Sequence, residues 1–84
     1  MARAMKHWVG NYDGRREALV CAATKKRAAE LSGGSVKNFN DYYNEDNRSW
    51  CAEVTGVVEG LWLRPHDLRR QSAAEGWVRK EVSR

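Results

Sequence analysis

The fold is decided by a stretch in the middle of the chain that reads Ala28-Ala29-Glu30-Leu31-Ser32-Gly33-Gly34-Ser35-Val36-Lys37-Asn38-Phe39. Two segments with apolar faces are separated by a pair of glycines, and Gly33 supplies the positive φ that a tight turn between helices requires. Ser35 is placed to cap the second segment, and aromatic residues continue at helical spacing after it. The pattern predicts two short helices joined by a glycine turn, the second running from Val36 to Asn44.

A β-hairpin is predicted upstream of these helices. Residues 6–12 place aromatic side chains at alternate positions, the dipeptide Asp13-Gly14 follows at once, and residues 17–23 form an apolar segment on its far side. Asp-Gly between two such segments is a strong signal for a two-residue hairpin turn. Thr24 is then placed to cap the first of the two helices.

The downstream third of the chain predicts one more strand and one more helix. Residues 57–64 are rich in Val, Leu and Trp and predict a strand, which Pro65 ends because it lacks a backbone N–H. A last helix is predicted from Leu68 to about Val82, since Asp67 can cap it and apolar positions recur at helical spacing despite Gly76. Residues 50–54 fit either a helical turn or an approach to the sheet.

Together these segments predict one α+β domain over residues 1–84, with residues 1–4 as a frayed leader. The order ββααβα implies a three-stranded antiparallel sheet, made of the N-terminal hairpin and one later strand. The helix-turn-helix-like pair and the C-terminal helix are expected to cover one face of that sheet.

Length and composition restrict the classes of function. A chain of 84 residues buries only about 60 to 65% of the surface that it exposes when unfolded, so a deep catalytic cleft is not expected. No apolar run has the length of a membrane span and residues 1–5 contain no signal-peptide core, which predicts a cytoplasmic protein. Cys21 and Cys51 lack the C-x-x-C spacing and are expected to be free, buried thiols in a reducing compartment.

The sequence predicts no catalytic, metal or cofactor site. A metal set would need Cys21, Cys51, His7 and His66, but these lie too far apart for the closely spaced ligand pairs of structural zinc sites. Neither cysteine follows a motif that would lower the pKa of a thiol nucleophile. The carboxylates at the end of the second helix fit a solvated acidic face. We therefore expect a protein that is not an enzyme.

The charges are distributed unevenly along the chain, whose net charge is +4. Residues 1–30 carry seven Lys and Arg against three Asp and Glu, residues 31–60 two against five, and residues 61–84 six against three. The first turn of the first helix contains Lys25, Lys26 and Arg27, where the helix dipole disfavours cations. These three are interpreted either as a solvated basic face or as a contact for phosphate or carboxylate groups.

The segment from Lys25 to Asn44 resembles DNA-binding helix-turn-helix units through its pattern A-A-E-L-x-G-x-S-V. Two residues depart from that family: Ser32 replaces an apolar residue, and Gly34 replaces the Val or Ile that locks the helices together. The resemblance implies a sequence-specific DNA-binding regulator. Electrostatics argue against groove reading, because the second helix offers Lys37 alone to the phosphates while Asp41 would face a strongly negative groove.

The segments W-V-G-N-Y-D-G-R-R-E-A-L-V, S-V-K-N-F-N-D-Y-Y and L-W-L-R-P-H-D resemble short uncharacterised proteins of bacteriophage and prophage type. That resemblance implies a small accessory protein that binds and redirects host machinery, as inhibitors of RNA polymerase or of CRISPR effector complexes do.

The favoured hypothesis is a non-enzymatic protein that binds a host protein or a protein–nucleic acid assembly. A DNA-binding regulator is the first alternative, and a structural homo-oligomer is the second; the chain itself is expected to be a monomer or a small homo-oligomer. The second helix is expected to face its partner, with Phe39 and either Tyr42 or Tyr43 buried beneath it. The candidate partner-binding residues are Lys25, Lys26, Arg27, Lys37, Asn40, Asp41, Asn44 and Glu45.

Overall fold

A five-stranded antiparallel sheet organises the chain in a computed structural model that describes residues 5–13, 15–65 and 74–80. The strand order is β3-β1-β2-β4-β5. The elements are β1 (Lys6–Asp13), β2 (Arg16–Ala22), α1 (Lys25–Ser32), α2 (Val36–Tyr42), β3 (Tyr43–Glu45), α3 (Ser49–Thr55), β4 (Gly60–Pro65) and β5 (Val78–Lys80). Within the described residues, no helix combines the length and apolar character needed to cross a bilayer.

The predicted hairpin is confirmed, since β1 pairs with β2 over nearly their whole length. Asp13 fixes the turn through its carboxylate, whose Oδ1 accepts hydrogen bonds from the backbone N–H groups of Arg15 and Arg16, both at 2.8 Å. These bonds hold the pKa of the Asp13 carboxyl below its usual range. The turn residue Gly14 lies outside the described residues.

Side chains alternate between the two faces of the sheet, and helices cover both. Ala18 and Val20 of β2 lie in the core beneath α1 and α2, whereas Leu19 and Cys21 lie in a second core with residues of α3. The expectation that the helices cover one face is therefore wrong. Strands buried on both faces are more uniformly apolar than half-buried ones, and β2 is buried continuously from Ala18 to Ala22.

The central helix pair forms as predicted. Oγ1 of Thr24 accepts from the backbone N–H of Arg27, and Oγ of Ser35 accepts from that of Asn38, both at 3.2 Å. Gly33 ends α1 in the left-handed conformation, with φ of 85°. The predicted glycine turn is thus present between two capped helices.

The second helix ends two residues earlier than predicted, because the chain turns into a strand. Tyr43 is extended, with φ of −124° and ψ of 144°, and β3 pairs with β1 at the sheet edge. Gly10 permits this close approach: a Cβ on it would lie against the Tyr42 carbonyl oxygen and only 2.8 Å from the Tyr43 Cα.

The predicted three-stranded sheet with a C-terminal helix is wrong. Residues 78–80 form β5 and pair with β4, and Gly76 precedes them in the left-handed conformation, with φ of 84°, which a continuous helix from Leu68 to Val82 does not allow. Residues 68–73 and 81–82 of that predicted helix lie outside the described residues. The periodicity of Ala74, Trp77 and Val78 suited a helix, but pairing with β4 decides the conformation.

The structure resolves one open prediction, at α3, and shifts the predicted start of one strand, β4. Residues 50–54 belong to α3, which settles the choice between a helical turn and an approach to the sheet. The strand predicted from residue 57 begins at Gly60, because Gly56 and Val57 both adopt positive φ and turn the chain after α3.

Candidate binding surface

An exposed polar surface lies on α2 and β3, and we call it the α2–β3 surface. It comprises Lys37, Asn40, Asp41, Tyr42 and Glu45, all of which are exposed. Asn44 is also exposed, but it pairs with Val9 of β1 and so points to the α3 face of the sheet. Phe39 and Tyr43 hold the α2–β3 surface to the sheet: their rings stack at 4.4 Å between centroids, and Phe39 meets the Trp8 ring edge to face at 5.8 Å. The prediction that Phe39 and one of the two tyrosines are buried is confirmed.

The residues on this surface are brought together by two elements rather than by the single predicted helix. Asn44 and Glu45 belong to β3, although they were expected at the end of the second helix. Tyr42 ends α2 and is 62% exposed, and among the described residues it is the one aromatic residue that is exposed. An exposed tyrosine ringed by polar groups is typical of binding surfaces.

The polar side chains of this surface are largely free of internal partners. Among the described residues, Lys37, Asn40 and Asp41 make no side-chain hydrogen bond or ion pair, and Glu45 accepts only from the Nδ2 of Asn47 at 2.6 Å. Five other carboxylates each pair with an arginine: Asp13, Glu17, Glu30, Asp46 and Glu59. The α2–β3 surface therefore contributes little to the internal ion-pair network.

The basic first turn of α1 is divided between solvent and the fold. Lys25 and Lys26 are exposed, as expected. Arg27 is less exposed than expected, since its Nε donates to Glu59 Oε1 at 2.9 Å and its Nη1 lies 3.6 Å from Glu30 Oε2. The hydrogen bond to Glu59 raises the pKa of Arg27. Only the two lysines remain as simple candidates for an external anion.

A groove adjoins the α2–β3 surface, between the end of β1 and the α1–α2 turn. It consists of two cavities of about 250 and 210 Å³, and both are lined by Asn11, Tyr12 and Tyr42. The larger also reaches Asn38 and the glycine turn. We call this feature the tyrosine groove. Sequence reasoning missed it because β1 and α2 lie far apart in the chain.

On the opposite face of the sheet, Arg64 is held by contacts with neighbouring side chains. Arg64 Nε donates to Glu17 Oε2 at 2.7 Å, and its guanidinium lies 4.2 Å from the centre of the Trp77 ring. Trp77 in turn stacks on Trp50 of α3 at 6.1 Å. A cavity of about 300 Å³ lies beside this cluster. No local sequence pattern predicts this cluster, because Glu17 and Arg64 are 47 positions apart.

The candidate ligating and nucleophilic residues of the sequence are buried under α3. His7 Nε2 lies 2.8 Å from Thr55 Oγ1, and burial lowers the pKa of His7 against the opposing effect of Asp46. Burial raises the pKa of Cys21 and raises that of Cys51 to about 11, and both thiols are free. Within the described residues no three metal-ligating side chains converge, and His66 lies outside them.

Comparison of the chain with protein-family models, with curated proteins and with solved structures finds no match. The bacteriophage-type and helix-turn-helix resemblances therefore remain predictions, and function has to be argued from the surface itself.

Proposed function

We propose that the chain is a small non-enzymatic binding protein, and that its partner is a protein or a protein–nucleic acid assembly docked on the α2–β3 surface. One observation carries this proposal: polar groups without internal partners surround a tyrosine that is 62% exposed. Leaving such groups unpaired costs nothing in water, and it leaves their hydrogen bonds available to a partner.

The charges of this surface support a protein partner over duplex DNA. Lys37 is its one cation, whereas Asp41 and Glu45 are anions, so the described surface carries a small negative excess. Such an excess steers the surface towards a basic partner and is repelled by phosphates. The helix α2 spans only Val36–Tyr42, which also gives little length for reading a groove.

The chemistry of the thiols argues against a cysteine nucleophile. The thiolate is the nucleophilic form of cysteine, and a pKa of about 11 keeps Cys51 almost wholly protonated near neutral pH. Both cysteines are also buried within the core beneath α3. Free thiols of this kind suit a reducing compartment, so we place the protein in the cytoplasm, or in the host cytoplasm if a phage encodes it.

The bacteriophage-type resemblance gives the proposal its biological setting. On that basis the partner is a component of host machinery, such as transcription or CRISPR-type defence, which the protein modulates or inhibits. Basic residues at the chain ends and acidic residues in the middle suit steering onto a partner that itself carries charge.

The test is affinity capture from host lysate, with and without nuclease, by the wild-type chain and by the Asp41→Lys, Glu45→Lys double variant. The proposal predicts a protein that survives nuclease and is lost with the double variant. Recovery of nucleic acid alone, with tighter binding to random duplex by the double variant, supports the DNA-binding alternative instead. A captured protein whose recovery is unaffected by both substitutions contradicts the α2–β3 surface as the interface.

A further inference from the structure

The strand β5 forms one edge of the sheet, at the side opposite to β3. Among the described residues no strand pairs with its outer side, and Val78, Arg79 and Lys80 are all exposed. An edge strand presents a row of unpaired backbone N–H and C=O groups, to which another extended chain can pair. The outer side of β5 therefore offers main-chain hydrogen bonds to a partner.

The two cations of β5 lie on opposite faces of the sheet, and each contacts an aromatic ring. Arg79 pairs with Trp62 of β4; its guanidinium lies 5.4 Å from the centre of that ring, and its Nη2 donates to the Glu59 carbonyl oxygen at 3.1 Å. On the other face, Lys80 Nζ donates to the Tyr12 hydroxyl at 3.3 Å. These contacts place one positive charge on each side of the strand edge.

Neither Arg79 nor Lys80 pairs with a carboxylate among the described residues, whereas four other arginines do. A cavity of about 380 Å³ lies beside β5, and the apolar part of its lining consists of Leu63, Pro65 and Val78. The described lining contains no carboxylate, and its two further arginines already have carboxylate partners. The surroundings of β5 are thus cationic and partly apolar.

We propose that the outer edge of β5 binds an extended acidic segment of a protein partner, which joins the sheet as an additional antiparallel strand. The described strands all pair antiparallel. In that geometry, successive residues of the added strand lie opposite Lys80, Arg79 and Val78, and directly opposed side chains share a face of the sheet. Acidic residues opposite the two cations and an apolar residue opposite Val78 give the pattern Glu-Glu-Val, written from the N-terminus. Main-chain hydrogen bonds would supply affinity, and the opposed charges would supply specificity.

The same cations argue against two other occupants of this edge. If two copies of the chain paired antiparallel through β5 around Arg79, that residue would lie opposite its own copy, and directly opposed like charges destabilise a strand pair. The phosphates of a nucleic acid are also attracted to Arg79 and Lys80. A nucleic acid, however, lacks the regularly spaced amide groups that pair with a strand edge. An acidic protein segment satisfies both the charges and the backbone.

The test is an NMR titration of the full chain with a blocked, threonine-rich peptide that carries Glu-Glu-Val at its centre. One control peptide carries Gln-Gln-Val, and a second keeps both glutamates but has proline on either side of the central triplet, which removes ladder donors. We expect the acidic peptide to shift the backbone amide resonances of Val78, Arg79 and Lys80. The glutamine peptide should bind about three- to tenfold more weakly, and the proline peptide should not shift these resonances.

The protein variant for the same titration is Arg79→Gln with Lys80→Gln. Its matched control is Lys25→Gln with Lys26→Gln, which makes the same change of net charge at two exposed lysines of α1. The first variant should bind the acidic peptide about three- to tenfold more weakly, and the second should bind it as wild type does at about 0.15 M salt. The control peptides need only the wild-type chain, so they decide the question even if the β5 variant does not fold.

Three results would each overturn the inference: equal affinity for the acidic and proline peptides, no shifts in β5 at about millimolar peptide, or equal losses in the two double variants. Tighter binding of a single-stranded oligonucleotide at β5, or shifts of β5 on dilution of the chain alone, would also overturn it. The inference goes beyond the proposed function and does not rest on it, because the α2–β3 surface lies at the opposite edge of the sheet. A failed titration therefore leaves the proposed function standing, and a captured protein that does not depend on Asp41 leaves this inference standing.

Discussion

On the α3 side of the sheet, Arg64 donates to Glu17 at 2.7 Å and packs over Trp77, whereas on the other side Asp41 has no side-chain partner among the described residues. Both regions carry charged and aromatic groups on the same scaffold. The first uses them to hold β2, β4 and the segment before β5 together, and the second leaves them for solvent. If the proposed function is correct, a substitution on the α2–β3 surface should change binding without changing the fold.

The two regions also differ in how much solvation their charges lose on folding. The Arg64 side chain is 10% exposed, so its charge has left water and depends on Glu17 and its other neighbours for compensation. Asp41 is exposed and loses little solvation when the chain folds. Substitutions at the two sites should therefore differ in stability as well as in binding.

The largest expected effect is on the free energy of unfolding, and it distinguishes the buried Phe39 from the exposed Tyr42. Phe39 is fully buried against Trp8 and Tyr43, and Phe39→Ala should lower the free energy of unfolding by about 3 to 5 kcal/mol. Tyr42→Ala is the control and should cost about 0.5 kcal/mol or less, because the ring is mostly in solvent. Equal losses in chemical denaturation would contradict the assignment of these two rings.

A second prediction concerns the close approach of α2 and β3 to β1. Gly10→Ala places a methyl group against the backbone of Tyr42 and Tyr43, and should cost about 1 to 3 kcal/mol or more. Gly34→Ala is the matched control, since its nearest neighbour would be Asn38 Cβ at 3.9 Å, and it should be neutral or slightly stabilising. Thermal unfolding of both variants measures the difference, and a Gly10→Ala protein as stable as wild type would contradict the β1–β3 pairing.

The third prediction tests the comparison of the two charged regions directly. Glu17→Ala removes the carboxylate to which Arg64 Nε donates and should cost about 1 to 3 kcal/mol, discounted for the partial exposure of Glu17. Asp41→Ala should change stability by less than about 0.5 kcal/mol. If the two variants lost similar amounts of unfolding free energy in urea denaturation, the Arg64 cluster and the α2–β3 surface would not differ in their contribution to stability.

A smaller effect is expected from pH. Burial lowers the pKa of His7 below its ordinary value of 6.5, so the unfolded chain binds a proton more readily than the folded one. The folded state is therefore most favoured above pH 6.5, where His7 is neutral in both states. Its free energy of unfolding falls as the pH drops below 6.5 towards the folded-state pKa of His7. His7→Gln keeps a donor near Thr55 without titrating, and should flatten the stability profile between about pH 5.5 and 7.5. An unchanged slope would show that His7 does not titrate in this way.

Sequence predicted the parts of the fold that local chemistry dictates. The hairpin that pairs β1 with β2, the caps at Thr24 and Ser35, and the left-handed Gly33 all depend on residues within a few positions of one another. These features were correct because each satisfies backbone groups locally. The exposure of Lys37, Asn40 and Asp41 followed from the same helical spacing.

The missed features depend on long-range pairing. The strand β3 has only three residues, two of them polar and exposed, so it carries no periodic signal, and it forms because Gly10 lets it lie beside β1. The strand β5 replaced a predicted helix for a similar reason, since Val78 and Arg79 pair with β4. The tyrosine groove also joins residues distant in sequence, which no motif could have indicated.

In the proposed function, the α2–β3 surface binds its partner through charges that the fold does not need. Asp41→Lys tests it most directly, because Glu45 also holds Asn47, whose Oδ1 accepts from the backbone N–H of His7. Glu53→Lys is the matched control: it makes the same change of net charge at an exposed position on α3. The measurement is the association rate of each variant with the captured partner as a function of salt. We predict slower association and a weaker salt dependence for Asp41→Lys, and wild-type behaviour for Glu53→Lys. Equal rates for the two variants would contradict the account.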